Sequence, residues 1–371
     1  MNRLILVGNG FDLAHGLKTS YKDFIDDFWE DVIFKLNMFK SDILLFSNEF
    51  IEISQNPHPT VDISNFKELA TNYTTLKRFL SSKKIKFYFK NSLFRILSEI
   101  NANQNWVDIE NIYYKELKKF EFGRIRDYVS VDELNEDFEK IKFILVNYFK
   151  SINKNITLKK LINKHIQSII NLKDIESKYQ KDIIKLIIKN TEIQNTNFYI
   201  DSSNSIKTFI KNIREQNNLE IENFVRVQVE ALGDEILDVM DLYPINSLIL
   251  NFNYTSTTFN YIDEFNRING NKSDYKISEI HIHGELNNPE NPIIFGFGDD
   301  VDKKYKEFED LNDNRYLENF KSIAYLQTDN YKKFLEFIDS EEYQVFIFGH
   351  SCGISDRTML NTIFGTIIAN L

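Results

Sequence analysis

Two hydrophobic rhythms divide this chain. Near its start, "LILV" in "NRLILVGNGFDLAHG" is an unbroken apolar run that ends at glycine. Runs of the same kind lie in the last third: "SLILNFN" (Ser247–Asn253), "EIHIHG" (Glu279–Gly284), "PIIFGFG" (Pro292–Gly298) and "QVFIFGHS" (Gln344–Ser351). Short apolar runs that end in small or polar residues read as strands buried on both faces of a parallel sheet. Arg3–Val7 is therefore expected as a first strand that stops in a glycine turn and hands over to a helix. Between these ends the rhythm changes. Segments such as "LKKLINKHIQSIINL" and "YQKDIIKLIIKN" carry apolar residues at helical spacing, and from Leu17 to Asn269 glycine occurs only at Gly123 and Gly233. Helical period and glycine scarcity predict a helical middle. The expected fold is α/β, a Rossmann-like parallel sheet with a large helical insertion: residues 1–29 and 240–371 form the core and 30–239 the insertion. No repeat or low-complexity tract interrupts the chain, and Pro57 and Pro59 mark only a loop.

Composition narrows the class. The 371 residues are 42% hydrophobic, ample for a sizeable core, and 45 basic against 55 acidic residues give a formal charge of −10. That balance offers no global attraction for nucleic acid or an anionic membrane. The Lys-rich aromatic stretch "KKIKFYFKN" (Lys83–Asn91) reads as a solvated helix rather than a nucleic-acid face. A single cysteine, Cys352, rules out an internal disulfide and a multi-cysteine zinc site. No apolar run approaches the roughly 20 residues that span a bilayer, and Leu4–Val7 is too short for a signal core. A soluble, unprocessed, cytoplasmic protein is expected.

In a doubly wound sheet, ligands gather beyond the carboxyl ends of the strands. There the sequence places Asn9 and Asp12 after the first strand, Asn253 after the second, His283 after the third, and His350 and Ser351 after the last. Of six histidines, His15, His281, His283 and His350 fall in or beside these turns. Each polar residue taken alone reads equally as a turn or helix cap; the clustering is the functional signal. Gly8 and Gly10 are expected to leave backbone N–H groups bare for an anionic ligand such as a phosphate, and Gly16 to end the first helix in a left-handed conformation. A dehydrogenase fingerprint is argued against by Leu13 at the third glycine position, and a serine hydrolase elbow at "GHSCG" by the lack of any histidine after Ser351. Asp299, Asp300 and Asp302 read as an acidic first helical turn rather than a cation site.

The stretches "LILVGNGFDLAHGLKTSYKDF", "NWVDIE" (Asn105–Glu110), "LNFNYT" (Leu250–Thr255), "HIHGELNNPENPIIFGFGDD" (His281–Asp300) and "FGHSCGISD" (Phe348–Asp356) resemble, in order, the AbiH-like abortive-infection family of bacterial anti-phage proteins. More distantly the same blocks are similar to sirtuin-like NAD-binding domains. That resemblance implies NAD as ligand or substrate; the four-cysteine zinc module of its deacylase members cannot be built from one cysteine, so no metal is expected. Residue by residue the resemblance matches Gly8 and Gly10 to the phosphate-turn glycines, Asn253 to the asparagine beside the nicotinamide ribose and His283 to the histidine that contacts it. With the strand-end residues added, the expected cofactor-binding positions are Gly8, Asn9, Gly10, Phe11, Thr255, Gly284, Gly349, His350, Ser351 and Asp356, and the expected catalytic positions Asn253, His283 and Asp12. Asn9 stands where the sirtuin-like turn has alanine, Asp12 near its serine, and Thr255 where aspartate often follows the asparagine.

Cleavage of a nicotinamide–ribose bond passes through an oxocarbenium-like centre. Asn253 can hold the water, neutral His283 can accept a proton, and Asp12, or Asp108 and Glu110 from the insertion if it folds back, can stabilise the cation. Two classes follow: an effector that hydrolyses NAD or a related nucleotide, or a non-catalytic nucleotide-binding sensor or interaction protein in phage defence. The partners expected are the nucleotide, a phage-encoded trigger protein and further copies of the chain.

Overall fold

A computed structural model describes residues 1–38, 44–55, 70–104, 108–124, 127–152, 156–166, 168, 170, 244, 246–269, 276–298 and 303–368. Its strands are β1 (Asn2–Val7), β2 (Leu44–Ser47), β3 (Ile51–Ser54), β4 (Lys86–Phe89), β5 (Asn246–Asn251), β6 (Lys276–His281) and β7 (Tyr343–Phe348). Four of them form one all-parallel sheet in the order β6-β5-β1-β7, with Ile5 opposite Ile249 and Phe346. The chain is thus an α/β protein.

The continuous apolar runs have the cause expected of them, since β1 is buried along its whole length. Leu4, Leu6, Leu248 and Leu250 pack on one face against Phe334, Met359 and Ile363 from helices Asn330–Ser340 and Arg357–Ile368. Ile5, Val7 and Ile249 pack on the other against Tyr261 and Phe265 of helix Phe259–Asn269 and against Ile166. Each such aliphatic side chain contributes about 1.5–3 kcal/mol on burial, so helices on both faces are what make a sheet of this composition stable.

A third core lies between the first helices and the end of the chain. Helix α1 (Asn9–Ala14) is followed by α2 (Tyr21–Met38), which runs unbroken past residue 29. The inner face of α2 puts Phe24, Ile25, Trp29, Val32, Ile33 and Leu36 into one cluster with helices Ser92–Asn103, Ile109–Phe122 and Val131–Ile152. Phe295, Phe297 and Phe320 from the chain's last third complete it. Phe138 stacks on Phe295 at 4.8 Å and Tyr114 on Phe297 at 3.9 Å. The segment after β1 is therefore packed down onto the sheet's carboxyl end.

Two local expectations are corrected. "KKIKFYFKN" is no solvated helix: Lys86–Phe89 is β4, paired antiparallel to β3 in a three-stranded sheet β2-β3-β4. Its alternation turns Phe87 and Phe89 onto Trp29, a period of two that outweighs the lysines. "PIIFGFG" is no strand of the sheet either. Proline removes a ladder donor, and the segment instead closes a turn, with Ile294 N–H donating to His283 C=O at 2.8 Å and only Phe297 bridging to Phe320. β6 ends at His281, so His283 stands free of the ladder. Helix Lys160–Ile166 realises part of "LKKLINKHIQSIINL", whereas "YQKDIIKLIIKN", Asp299, Asp300 and Asp302 lie outside the described residues. Among the described residues no helix is long and apolar enough to cross a membrane.

Candidate functional site

The carboxyl ends of all four parallel strands open into one cavity of about 380 Å³. Gly8, Asn9, Gly10 and Asp12 reach it from β1, Asn253 and Thr255 from β5, His283 from β6, and Gly349, His350, Ser351 and Asp356 from β7. Asp108, the N-cap of helix Ile109–Phe122, and Glu110 in its first turn fold back onto the same cavity. Of the residues singled out in the sequence, Phe11 and Gly284 are not brought there. Phe11 points into the sheet core beside His15 and Tyr261. Gly284 (φ +87°) serves a tight turn, where a Cβ would stand 2.1 Å from Pro292 C=O. His15 donates and accepts within the fold, to Phe11 C=O and Tyr261 Oη, and so carries no cavity chemistry.

The glycine turn works differently from the expectation of bare donors. Gly8 N–H donates to Phe348 C=O at 3.1 Å and Gly10 N–H to Gly349 C=O at 2.8 Å, so β7's turn already occupies both. A Cβ on Gly8 would meet His350 Cα at 2.5 Å, and one on Gly10 would meet Gly349 at 2.8 Å. These glycines let two turns touch at the cavity's edge. Gly16 does take the left-handed conformation after α1 (φ +79°).

Asp12 has 1% of its surface exposed. Its Oδ2 accepts from Thr255 Oγ at 2.5 Å, while the buried Oδ1 has no hydrogen bond of ordinary geometry, although the Thr257 hydroxyl and the Asn253 amide stand near enough to favour the carboxylate. Burial pushes its pKa up against the lowering pull of the Thr255 hydroxyl. A buried acceptor left unpaired is costly, and here it sits in a cavity wall. Asn253 donates through Nδ2 to Gly8 C=O at 3.0 Å, and its own N–H donates to Asn251 Oδ1 at 2.9 Å. Because a carbonyl only accepts, this contact fixes which amide atom faces the backbone.

The side chain that sequence reading missed is Lys321, 1% exposed on a four-residue helix, Lys321–Ala324. Its ammonium donates to Asp356 Oδ1 at 2.9 Å and to Glu110 Oε2 at 3.1 Å. Against burial, those carboxylates raise its pKa, and in turn Lys321 and then His283 hold Asp356 well below the usual carboxylate range. Glu110 goes the other way, pushed up to about 8 by burial and by the charge of Asp356 even though Lys321 opposes it. His283 is pushed down to about 4, first by burial and then by the Lys321 charge. It is therefore neutral, and with Asp356 3.3 Å from Nε2 the ring proton belongs on Nε2, leaving Nδ1 as acceptor. Tyr325 Oη, 3.0 Å from the same nitrogen, shares that contact. His350 accepts the Cys352 N–H on Nδ1 and turns Nε2 toward Asp356. No motif announces Lys321, because "ENFKSIAY" reads as an ordinary amphipathic turn.

The fold and site define an α/β protein with helices on both faces of a parallel sheet and a half-open cavity at the sheet's carboxyl edge, lined by polar side chains with displaced pKa values, the place where such sheets commonly hold their ligands. The family model described as "Bacteriophage abortive infection AbiH" matches residues 4–370. The chain belongs to the AbiH family, and the family supports a role in abortive infection by bacteriophage. Searches of curated proteins and of solved structures each gave no match.

Proposed function

We propose that this AbiH protein is an abortive-infection effector that binds NAD or a related nucleotide in the carboxyl-edge cavity and hydrolyses its N-glycosidic bond. The observation that carries the reading is the convergence on one cavity of the buried Asp12 carboxyl with the two polar side chains the chemistry needs. Neutral His283 and the oriented Asn253 line the same cavity.

In the proposed step the amide oxygen of Asn253 holds a water at the anomeric carbon. The water oxygen bonds to that carbon while the carbon–nitrogen bond breaks, its electron pair passing to the pyridinium nitrogen and giving neutral nicotinamide. The water's proton goes to His283 Nδ1. The carboxylate form of Asp12, which burial disfavours and a cationic ligand favours, stabilises the positive charge that develops on the ribose. A sensor that binds nucleotide without cleaving it is favoured by one feature, the protein contacts that Asp12, Asn253 and His283 already hold.

Calorimetric titration with NAD and ADP-ribose tests the site. The reading expects binding by wild type and at least about tenfold weaker binding by Asp12→Asn at unchanged melting temperature. Equal affinity in the two proteins, or no binding by either, refutes it.

A further inference from the structure

Away from the sheet, a second cavity of about 330 Å³ opens between α2, the start of helix Tyr73–Ser82 and the end of helix Ser92–Asn103. We propose that it is a binding site for a small organic cation bearing a primary ammonium or guanidinium group. Its inner wall is Asn101, 9% exposed, whose Nδ2 donates to Asp26 Oδ1 at 2.8 Å. That bond fixes the amide, and its Oδ1 is buried with no hydrogen-bond partner, in the position of an acceptor waiting for a donor.

The wall carries two carboxylates, Asp26 and Glu30, against one ammonium, Lys22. Asp26 and Glu30 lie one turn apart on α2 and share a face. Helix Ser92–Asn103 ends at the cavity with Asn101, Ala102 and Asn103, and no basic residue stands in its last turn, so the negative end of its dipole is unneutralised there. Trp29 and Tyr73, ring centroids 4.7 Å apart, form the aromatic side. One ammonium already visits this wall: Lys22 Nζ stands 2.5 Å from Asp26 Oδ2, both side chains about two-fifths exposed. It marks the charge the cavity favours and, being tethered at the rim, leaves the Asn101 oxygen unmet.

The test uses the full-length protein with agmatine and putrescine as probes and 1,4-butanediol as the neutral control of similar length. Binding is followed by calorimetry and by tryptophan emission, since Trp29 is one of two tryptophans in the chain. Saturable binding of the diamines, with an emission change and none by the diol, is expected. Glu30→Gln, at an exposed position, is expected to weaken it about fivefold, and Asn101→Leu about tenfold or more. If Asn101→Leu fails to fold, as judged by its melt, Glu30→Gln decides alone. No diamine binding up to about 10 mM, equal binding of the diol, or affinity untouched by Glu30→Gln overturns the proposal.

Discussion

Two histidines at the end of β6 sit beside carboxylates, and their pKa values are displaced in opposite directions. His281 is 3.3 Å from Glu279 through Nε2 and 3.1 Å from Asn253 C=O through Nδ1. Both partners accept, and against burial Glu279 raises its pKa, so the ring tends to imidazolium. His283 is equally close to Asp356, but Lys321 has reached that carboxylate first, and the ring stays neutral. A carboxylate neighbour therefore does not by itself charge a histidine; burial first, and then a cation that already satisfies the carboxylate, hold His283 neutral. The His281 ring braces the backbone at Asn253, and the neutral His283 ring is available as a base.

Lys321→Met tests this contrast most severely. Removing the ammonium leaves Glu110 and Asp356 buried without their cation, and a loss of about 3–5 kcal/mol is expected in urea unfolding. In any folded fraction, the His283 imidazole resonances should titrate well above pH 4 while those of His281 stay put. An unmoved His283 would mean that burial alone keeps it neutral.

Acid sharpens the same comparison. His283 has a folded pKa near 4 against about 6.5 unfolded. Between those values only the unfolded chain takes up its proton, so stability falls with pH through this window by up to about 3 kcal/mol and levels off below it. His281 has the opposite sign. Its raised pKa stabilises the fold fully below about 6.5, and that contribution is lost as pH rises through its folded value. Melts of wild type, His283→Gln and His281→Gln across pH 4–9 should show the acid slope flattened in the first variant and the alkaline slope in the second. A common slope in all three would contradict both assignments.

The glycines give the smallest effects. Gly10→Ala forces a Cβ onto Gly349 and should cost about 1–3 kcal/mol. Gly16→Ala meets no atom within 4 Å and bears only left-handed strain, roughly 1 kcal/mol. If Gly16→Ala is the more damaging in a melt, the contact between the two turns is not what fixes Gly10.

The sheet was legible because burial on both faces leaves an apolar run that no helix period explains, as at Leu4–Val7 and Leu248–Leu250. Asn253, His283 and His350 could be found because a parallel sheet sends every strand's carboxyl end to one edge. Lys321 and β4 were not legible, for different reasons. Lys321 has meaning only through Glu110 and Asp356, residues 211 and 35 positions away, and a tertiary ion cluster leaves no local period. In β4 the four residues "KFYF" are too short for alternation to prevail over flanking lysines. The role of Gly8 and Gly10 was misjudged because a glycine that admits a ligand and one that admits another backbone look alike in sequence.

The central claim is tested most directly by chromatography of NAD incubated with purified wild type, Asn253→Ala and His283→Ala. Wild type should release nicotinamide and ADP-ribose, and each folded variant should lose at least about a hundredfold in rate. Intact NAD with a wild type that binds it, or unchanged turnover in both variants, would contradict the account.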